Sequence, residues 1–500
     1  MPTLDDLRNK WFIKFDSSNS SFPPASRHMG TNVSNYTDGN RVVPIIDGQN
    51  YMKIWHNSIR NMIGKSNCEI YHSAWRQEAV RTLGNSIPSS NALVTLKDAQ
   101  NGGVTLYLLF CRNLSTYTFN ARSVIWLRTR GVWRACLDNR FPPSGSNHQK
   151  FVCLKDPSAT KAMMGSIDIS IPRWDTTLHL HVDPNRDPAA KPTHDVGIVI
   201  EGPAVADLEW SFRERWNDST RTLGLKPLIP PLPKINTPVS SLGSVGTHSV
   251  QILHTYGITS TFFGYSWSPV GEFTIWASYL NAIKTANNYI YIEDQFFLPF
   301  GDPTLLKGQT ADTDIIYQLG EAIKGGVKVA VLVPSDIEDS GIVSIIRPYQ
   351  KYQRNIGINY LATIAASHPG DFVIASLHNG ISPIYVHSKI MICDDEFVLV
   401  GSANICQRSI THDSEIHAGI VDSVNQFARE LRKTLWSEHL QRPPSELEDP
   451  ITSYEIFKKD ALSNHGRLRS YPITRPSKPP LGHEWIMRNL VDPYAGPPRV

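Results

Sequence analysis

The sequence predicts an α/β protein in which two similar domains are fused in one chain. The pattern His-x-Lys followed by an apolar run occurs twice, at residues 148–154 and 387–393, and each copy leads to a Gly-Ser pair. In both halves, a stretch with apolar residues at helical spacing and then a strand precede this pattern. Five prolines lie between residues 223 and 238, where they would interrupt any helix or central strand. We therefore expect two pseudo-symmetric domains, each a mixed β-sheet flanked by helices.

The individual elements follow from apolar runs and from helical periodicity. The patterns predict strands at residues 42–46, 69–75, 289–293, 329–333 and 372–377, and helices near residues 4–12, 51–63, 274–287 and 426–440. The order helix, strand, later His-x-Lys hairpin is the same in both halves. A repeat of about 200 residues is too long for a solenoid and suits two fused domains.

The domain boundaries follow from these repeats and from the proline-rich stretch. We expect an irregular N-terminal segment at 1–41, a first domain at 42–222, a Pro/Ser-rich linker at 223–250, a second domain at 251–445 and a C-terminal extension at 446–500. The proline-rich tail is expected to lie on the surface without a core of its own.

The second copy of the motif is the clearer one. On one strand from Tyr385, His387 and Lys389 share a face, and the apolar residues between them share the other. A polar turn and a return strand then bring Gly401 and Ser402 beside the His/Lys pair. An imidazole, a fixed positive charge and neutral donors around one point suit a phosphate group.

An isolated His-x-Lys pattern need not indicate a functional site, because both side chains can simply face solvent on a half-buried strand. The first copy weighs against that explanation. His148 and Lys150 precede the same kind of apolar strand, and the chain then reaches Gly165 and Ser166 after a hairpin three residues longer. A shared function of the two copies is therefore favoured.

Composition narrows the classes of function. The chain has 500 residues, a formal net charge of +3, 41% apolar and 19% charged residues. This small charge gives no support for a strongly nucleic-acid-binding surface. No apolar run approaches the length of a membrane span, and no leader with a basic region before an apolar run is visible. The six cysteines contain no C-x2-C pair, so a zinc site is not predicted, and we expect reduced thiols.

These residues resemble the signature of the phospholipase D superfamily, H-x-K-x4-D followed by Gly-Gly or Gly-Ser. His387, Lys389 and Asp394 match it fully. In the first copy, Lys155 stands at the Asp position and Asp156 lies one place late. The resemblance extends from about residue 42 to about residue 439, with flanks similar to those of the eukaryotic-type enzymes.

The resemblance implies a mechanism with two histidines. One imidazole attacks phosphorus and the other protonates the leaving alkoxide, with His148 as nucleophile and His387 as acid/base. Lys150 and Lys389 would neutralise the phosphate oxygens. The resemblance also offers Asp195 as the partner of His148 and Glu415 as the partner of His387. Neutral phosphate donors are expected at Ser166, Ser402 and Asn404.

We expect structural roles for the remaining residues of the motifs. We expect Asp394 to accept hydrogen bonds from the amides of its own turn, with Asp156 as a substitute in the first half. An anionic Asp168 would repel phosphate, so it is expected to hold a lysine or the backbone instead. Gly165 and Gly401 are expected to be structural. No carboxylate cluster of metal-binding spacing accompanies the motifs, and we predict neither a metal nor another cofactor.

The leading hypothesis is a phospholipase D that hydrolyses phosphatidylcholine-like lipids to phosphatidic acid and free head group and also transfers the phosphatidyl group to alcohols. The alternatives are a nuclease or phosphodiesterase on the same fold, a cardiolipin synthase-like transferase, and a degenerate lipid-binding module. The expected partner is a phospholipid at a membrane surface, with nucleic acid disfavoured. We expect a monomeric pseudo-dimer that is cytoplasmic and peripherally membrane-associated, with non-classical secretion left open.

Overall fold

The computed structural model describes residues 2–14, 36–142, 144–219, 232–258, 265, 267–268, 271–337, 343–474, 485, 489 and 492–494. The first part of the chain forms α1 (Leu4–Trp11), β1 (Thr37–Ile46), α2 (Gly48–Met62), β2 (Glu69–Ala74), α3 (Ala92–Asn101), β3 (Thr105–Cys111), α4 (Tyr117–Arg128), β4 (Ala135–Asp138), β5 (Phe151–Lys155), β6 (Lys161–Gly165), β7 (Thr193–His194), β8 (Val196–Glu201) and α5 (Val205–Ser219).

The second part forms β9 (His248–Tyr256), β10 (Glu272–Phe273), α6 (Thr274–Thr285), β11 (Tyr289–Glu293), α7 (Gln309–Thr313), α8 (Ile315–Lys324), β12 (Lys328–Leu332), α9 (Val343–Ala365), β13 (Asp371–His378), β14 (Pro383–Val386), β15 (Ile390–Cys393), β16 (Phe397–Gly401), α10 (Gln407–Thr411), β17 (Glu415–Asp422), α11 (Phe427–Leu440), α12 (Pro450–Ser463) and β18 (Leu468–Ser470). Every strand and helix predicted from the sequence has a counterpart here.

Two sheets with the same strand order confirm the predicted duplication. The first sheet runs β4-β3-β2-β5-β6-β8-β1, and the second runs β13-β12-β11-β15-β16-β17-β9. In each sheet the first three strands are parallel and the remaining neighbours are antiparallel. The edge strands β1 and β9 also pair with each other, which joins the two sheets. The fold is thus α/β, with two pseudo-symmetric mixed sheets.

Three apolar clusters cover the faces of these sheets. Helices α2, α3 and α4 pack on one face of the first sheet, and α6 and α8 pack on the corresponding face of the second. A third cluster draws on both halves and contains Trp216 of α5 and Trp436 of α11. Because this shared cluster buries strands of both sheets, the two halves form one packed unit rather than two separate bodies.

Both ends of the chain pack more tightly than the sequence predicted. Leu7 and Trp11 of α1 lie in the core of the second half, where Trp11 stacks on Phe397 with ring centroids 5.5 Å apart. Tyr454 and Phe457 of α12 are buried in the shared core, and β18 pairs with β13. The predicted extension from residue 446 therefore contributes to the core. Residues 15–35 of the predicted N-terminal segment and 220–231, around the start of the predicted linker, lie outside the described residues.

The motif strand is interrupted, which corrects the prediction of one continuous strand. Strand β14 ends at Val386, β15 begins at Ile390, and His387, Ser388 and Lys389 lie between them without sheet pairing. Residues 148–150 likewise precede β5 rather than forming part of it. The reason is that each His-x-Lys segment leaves its own sheet to contact the other half. Among the described residues, no helix is both long and apolar enough to cross a membrane.

Candidate active site

The two His-x-Lys segments lie where the halves of the molecule meet. Strand β14 pairs in parallel with β7 of the first half, and the backbone N–H of His387 donates to the carbonyl of His194 at 2.8 Å. In the pseudo-symmetric position, the N–H of His148 donates to the carbonyl of Ser414 at 2.8 Å. Each histidine is thus fixed to the segment of the opposite half that carries an acidic residue.

Each imidazole contacts the carboxylate of the opposite half, which corrects the predicted pairing. Nδ1 of His148 lies 2.9 Å from Oε2 of Glu415, and Nδ1 of His387 lies 2.8 Å from Oδ2 of Asp195. The prediction assumed that each acid reaches back to the histidine of its own half. The crossed pairs arise because each His-x-Lys segment runs beside the other half's acidic segment.

The serines of the two Gly-Ser pairs hold these carboxylates. The hydroxyl of Ser166 donates to Oδ1 of Asp195, and the hydroxyl of Ser402 donates to Oε2 of Glu415 at 2.5 Å. Both serines are fully buried. Their hydroxyl protons are therefore engaged with the acids in this structure, and direct donation to a phosphate stays a prediction.

The glycines before these serines permit a close approach of strands. A Cβ at Gly401 would lie 2.2 Å from the carbonyl oxygen of Ile416, and one at Gly165 would lie 2.6 Å from Cα of Gly197. Any larger residue would push the serine away from the strand that carries its acid. Asn404, the third predicted phosphate donor, is buried, and its Oδ1 accepts no hydrogen bond within the described part of the chain.

The two lysines are buried beside the histidines. The ammonium of Lys150 donates to the carbonyl of His148 at 2.9 Å, and that of Lys389 donates to the carbonyl of His387. Asp168 lies 3.7 Å from Nζ of Lys150 and accepts a hydrogen bond from the backbone N–H of Arg76. The prediction that Asp168 holds a lysine or the backbone is confirmed on both counts.

The surroundings of the lysines differ between the halves. Nζ of Lys389 donates to Oε1 of Gln295 at 3.0 Å, two residues beyond β11. The matching position in the first half is Trp75. Its ring centroid lies 5.5 Å from Nζ of Lys150 and 5.4 Å from the ring centroid of His148. Lys389 thus has a polar neighbour, whereas Lys150 has an aromatic one. Neither neighbour was singled out as a site residue from the sequence.

Burial and positive charge shift the pKa values of the site. Burial, and then the ammonium groups of Lys150 and Lys389, hold the pKa of His148 well below its usual value. Burial, and then Arg173 and the lysines, do the same to the pKa of His387. Both imidazoles are therefore neutral in the free protein at pH 7. A neutral imidazole that donates Nδ1–H to a carboxylate leaves Nε2 as a free nucleophile or base.

Burial also moves the pKa values of Glu415 and Lys389 toward neutrality, from opposite directions. Burial raises the pKa of Glu415 to about 7, although Lys150 and the Ser402 hydroxyl oppose that shift. Burial lowers the pKa of Lys389 to about 7, against the attraction of Asp195. Groups that titrate near neutrality in a buried cluster are typical of catalytic sites.

Arg173 is a further cation of this cluster that the sequence analysis did not assign. It is buried, and its charge lowers the pKa values of His387, Lys150 and Lys389. It lies in the short turn Ile171–Arg173, a few residues beyond the Gly165–Ser166 pair that closes the first motif. The only signal was its place in a stretch similar to the family, so its nearness to the lysines could not be inferred.

The hydrogen-bond partners of Asp394 differ from those predicted. Its carboxylate accepts hydrogen bonds from the backbone N–H groups of Asn287, Asn288 and Tyr289 at 2.8–2.9 Å. These amides begin β11, so Asp394 fixes the neighbouring strand rather than its own turn. In the first half, Asp156 does bind its own turn, at the N–H and hydroxyl of Ser158.

The lysine at the altered motif position is also paired. Nζ of Lys155 lies 3.2 Å from a carboxylate oxygen of Glu209 and 3.5 Å from one of Glu69. These contacts lie at the far end of β5 from His148. The departure from the signature therefore changes the hairpin and leaves the histidine, its acid and the lysine in place.

Comparisons with known proteins find similarity to phospholipases D. A family model described as Phospholipase D matches residues 370–483. Phospholipase D alpha 1 of Zea mays is 26% identical over 450 residues, which cover 67% of this chain and 53% of that protein. Phospholipase D2 of Bos taurus is 27% identical over 329 residues, covering 55% of this chain and 34% of that protein.

Among solved structures, a phosphatidylserine synthase of Haemophilus influenzae Rd KW20 has a TM-score of 0.49 and 14% identity, with 88% of this chain and 97% of that chain covered. The chain spans about half the length of the plant relatives it matches. With its two motifs and these sequence matches, the chain is similar to members of the phospholipase D superfamily, the eukaryotic-type enzymes among them.

Proposed function

We propose that the protein is a phospholipase D that hydrolyses phosphatidylcholine-like glycerophospholipids. The observation that carries this proposal is the pair of crossed histidine–carboxylate contacts, His148 with Glu415 and His387 with Asp195, beside two buried lysines. A phosphodiester is anionic and repels nucleophiles, so its cleavage is aided by positioned positive charge and by a covalent intermediate.

The first chemical step forms a phosphohistidine. Nε2 of His148 attacks phosphorus, the bond from phosphorus to the head-group oxygen breaks, and His387 gives a proton to the departing alkoxide. In the free protein His387 is neutral, because burial and nearby cations lower its pKa. The negative charge of the bound diester raises the pKa of His387, which takes up from solvent the proton that the step requires.

The second step releases phosphatidic acid. Water gives its proton to His387, its oxygen bonds to phosphorus, and the bond from phosphorus to His148 breaks. An alcohol in place of water yields a phosphatidyl alcohol by the same step. Lys150, Lys389 and Arg173 would offset the charge that develops on the phosphate oxygens.

A lipid substrate also requires a surface that contacts the bilayer. Four aliphatic side chains are exposed on two loops that precede β7 and β14, namely Leu178, Leu180, Val182 and Ile381. The loops are tied together where the Asn379 amide donates to the carbonyl of His179 at 2.7 Å. Because β14 leads directly from Ile381 to His387, we assign these two loops to contact with the lipid surface and call them the bilayer loop pair.

A head-group release assay tests the proposed function. Vesicles of phosphatidylcholine, phosphatidylethanolamine, phosphatidylserine or phosphatidylglycerol are incubated with the protein, without chelator, and the products are identified by mass spectrometry. Phosphatidic acid and free choline are expected from phosphatidylcholine, and phosphatidylbutanol when butanol is added. The His387→Asn variant serves as the matched inactive control.

Release of no head group from any of these lipids would overturn the proposal. Cleavage of single-stranded DNA by the same preparation would then identify a nuclease. Vesicle binding without any turnover would indicate a lipid-binding module.

A further inference from the structure

A second cluster of polar side chains lies next to the active site and has no part in the mechanism. It consists of Asp47 after β1, His179 in the loop before β7, His194 at the end of β7 and Glu438 in the last turn of α11. One atom from each of these side chains lies within 4.8 Å of the corresponding atom of the others. The four residues are remote in sequence, and three are fully buried.

The atoms of this cluster converge on one point. Nε2 of His179 lies 3.0 Å from Oε1 of Glu438 and 3.4 Å from Oδ2 of Asp47. Nδ1 of His194 lies 3.2 Å from Oδ1 of Asp47 and 3.5 Å from Oε1 of Glu438. For tetrahedral Zn²⁺ with bonds of about 2.0–2.1 Å, ligand atoms are separated by about 3.3 Å. The four observed spacings, 3.0–3.5 Å, bracket that value, with Asp47 contributing both of its carboxylate oxygens.

Direct hydrogen bonds account for only part of these contacts, namely the one between Nε2 of His179 and Oε1 of Glu438 at 3.0 Å. Nδ1 of His194 and Oδ2 of Asp47 are buried, yet neither has a hydrogen-bond partner in the described part of the protein. An unpaired buried polar atom is costly, and two that face a common point require an explanation. A cation between them would satisfy both.

The opposite ring nitrogens are held as in known metal sites. Nδ1 of His179 lies 2.9 Å from a carboxylate oxygen of Asp175, and Nε2 of His194 lies 3.1 Å from one of Glu293. A histidine that binds a metal through one nitrogen usually donates its other N–H to a carboxylate or carbonyl, which fixes the tautomer. Both histidines show this arrangement.

The backbone is strained at two of the four positions. Asp47 has φ 67° and ψ 155°, a region that is almost confined to glycine, and His179 has φ 48°. Such conformations are unfavourable and persist where the surroundings demand them, often at ligand sites. Here they aim two side chains at the same point.

The charges of the cluster also leave room for a divalent cation. The carboxylates in contact with these histidines are those of Asp47, Asp175, Glu293 and Glu438. Among the described residues, two guanidinium groups contact these carboxylates. Arg186 lies 2.7 Å from Asp175, and Arg467 lies 3.1 Å from Glu438. Metal ligation requires neutral histidines, and in that state four negative charges against two positive ones leave two uncompensated, whereas two protonated histidines would balance the four carboxylates without an ion.

We propose that Asp47, His179, His194 and Glu438 bind a divalent transition-metal ion of the Zn²⁺ class. Two imidazole nitrogens favour such an ion over Ca²⁺ or Mg²⁺, which prefer oxygen ligands alone. The sequence predicted no metal because no two of these ligands have a recognisable spacing. The inference does not depend on the proposed lipase activity.

The ion would have a structural role in this site. Three ligands belong to the first half and one belongs to α11 of the second. The ion would therefore link the two halves. His194 directly precedes Asp195, whose carboxylate contacts His387. Metal loss is therefore expected to loosen this pair as well as to lower thermal stability.

Metal content is the direct test. The full chain is expressed in zinc-supplemented cells, purified without a polyhistidine tag or chelator, and assayed by inductively coupled plasma mass spectrometry. We expect about one equivalent of metal per chain, as for a closed structural site. His179→Gln and Glu438→Gln should lose it. The matched control His181→Gln, an exposed histidine two residues from His179, should retain it.

A second measurement on the unaltered protein keeps the test decisive if a variant does not fold. After treatment with dipicolinate, the protein should have a lower Tm that Zn²⁺ restores, and Co²⁺ should produce the visible absorption bands of a tetrahedral site. Untreated protein without bound metal, together with no change in Tm and no visible band after addition of Zn²⁺ or Co²⁺, would overturn the proposal. Equal loss of metal in His181→Gln would also overturn it.

Discussion

Oδ2 of Asp195 lies 2.8 Å from Nδ1 of His387, although the two residues belong to opposite halves of the molecule. The pseudo-symmetric contact joins Glu415 to His148. Neither half therefore contains a complete histidine–acid pair, and the site depends on the interface between the halves. Loss of one acid is expected to disable the histidine of the other half.

The crossed pairs predict which acid supports which histidine. Asp195→Asn should impair His387, the proposed acid. Turnover of phosphatidylcholine should therefore fall by about a hundredfold. A p-nitrophenyl diester, whose leaving group needs no acid, should be much less affected in its first step. Glu415→Gln should impair the nucleophile and slow both substrates alike. Rate ratios for the two substrates provide the measurement.

The opposite pattern, with Asp195→Asn equally slow on both substrates, would support the pairing within each half. Asp156→Asn is a matched control, because this carboxylate binds the turn after β5 and Lys65. It should leave both rates near those of the unaltered protein.

The shifted pKa values predict a bell-shaped pH profile of kcat/KM centred near pH 7. Burial raises the pKa of Glu415 to about 7, so its carboxylate, which accepts Nδ1–H of His148, is ionised only above that pH. Burial lowers the pKa of Lys389 to about 7, so its positive charge is lost as the pH rises further. Activity should therefore rise with the first ionisation and fall with the second.

Lys389→Arg separates the two limbs of that profile. A guanidinium stays charged throughout the accessible range, so the falling limb should move to higher pH even if the maximal rate is lower. Measurements with a soluble diester avoid effects of pH on vesicles. A falling limb that is unchanged in Lys389→Arg would show that another group causes it.

The sequence was sufficient for the fold and for the two His-x-Lys motifs that the structure brings together. The duplicated motif, the repeated order of elements and the proline-rich stretch predicted two similar α/β halves, and the strand order confirms that duplication. Local signals sufficed because strand alternation and helical periodicity are properties of short stretches.

The partners of the site residues could not be predicted, because they depend on how the halves pack. The contact of His387 with Asp195 spans 192 positions of the chain and follows from the parallel pairing of β14 with β7. Arg173 and Gln295 stand in stretches similar to the family, but nothing local indicated their nearness to the lysines. The same reason applies to the proposed metal ligands, which lie on four separate elements.

The exposed aliphatic side chains of the bilayer loop pair predict how the protein binds vesicles. Leu178→Ser and Val182→Ser should each weaken vesicle binding by roughly tenfold, because each removes an apolar side chain that would enter the interface. Turnover of a soluble diester should not change. Sedimentation with vesicles measures the binding, and Leu462→Ser, an exposed leucine on α12, is the matched control. Unchanged sedimentation of both loop variants would exclude this surface.

The roles of the two histidines can be separated by trapping the intermediate. His148→Ala and His387→Ala should both be nearly inactive on phosphatidylcholine, since each removes a participant in both chemical steps. His148→Ala lacks the proposed nucleophile and cannot form the phosphohistidine. His387→Ala should still form it from a p-nitrophenyl diester, and the adduct should accumulate because no base activates water. Intact-mass measurement should therefore show the adduct only in His387→Ala. An adduct on His387 in the His148→Ala protein would exchange the two roles and leave the two-histidine mechanism in place.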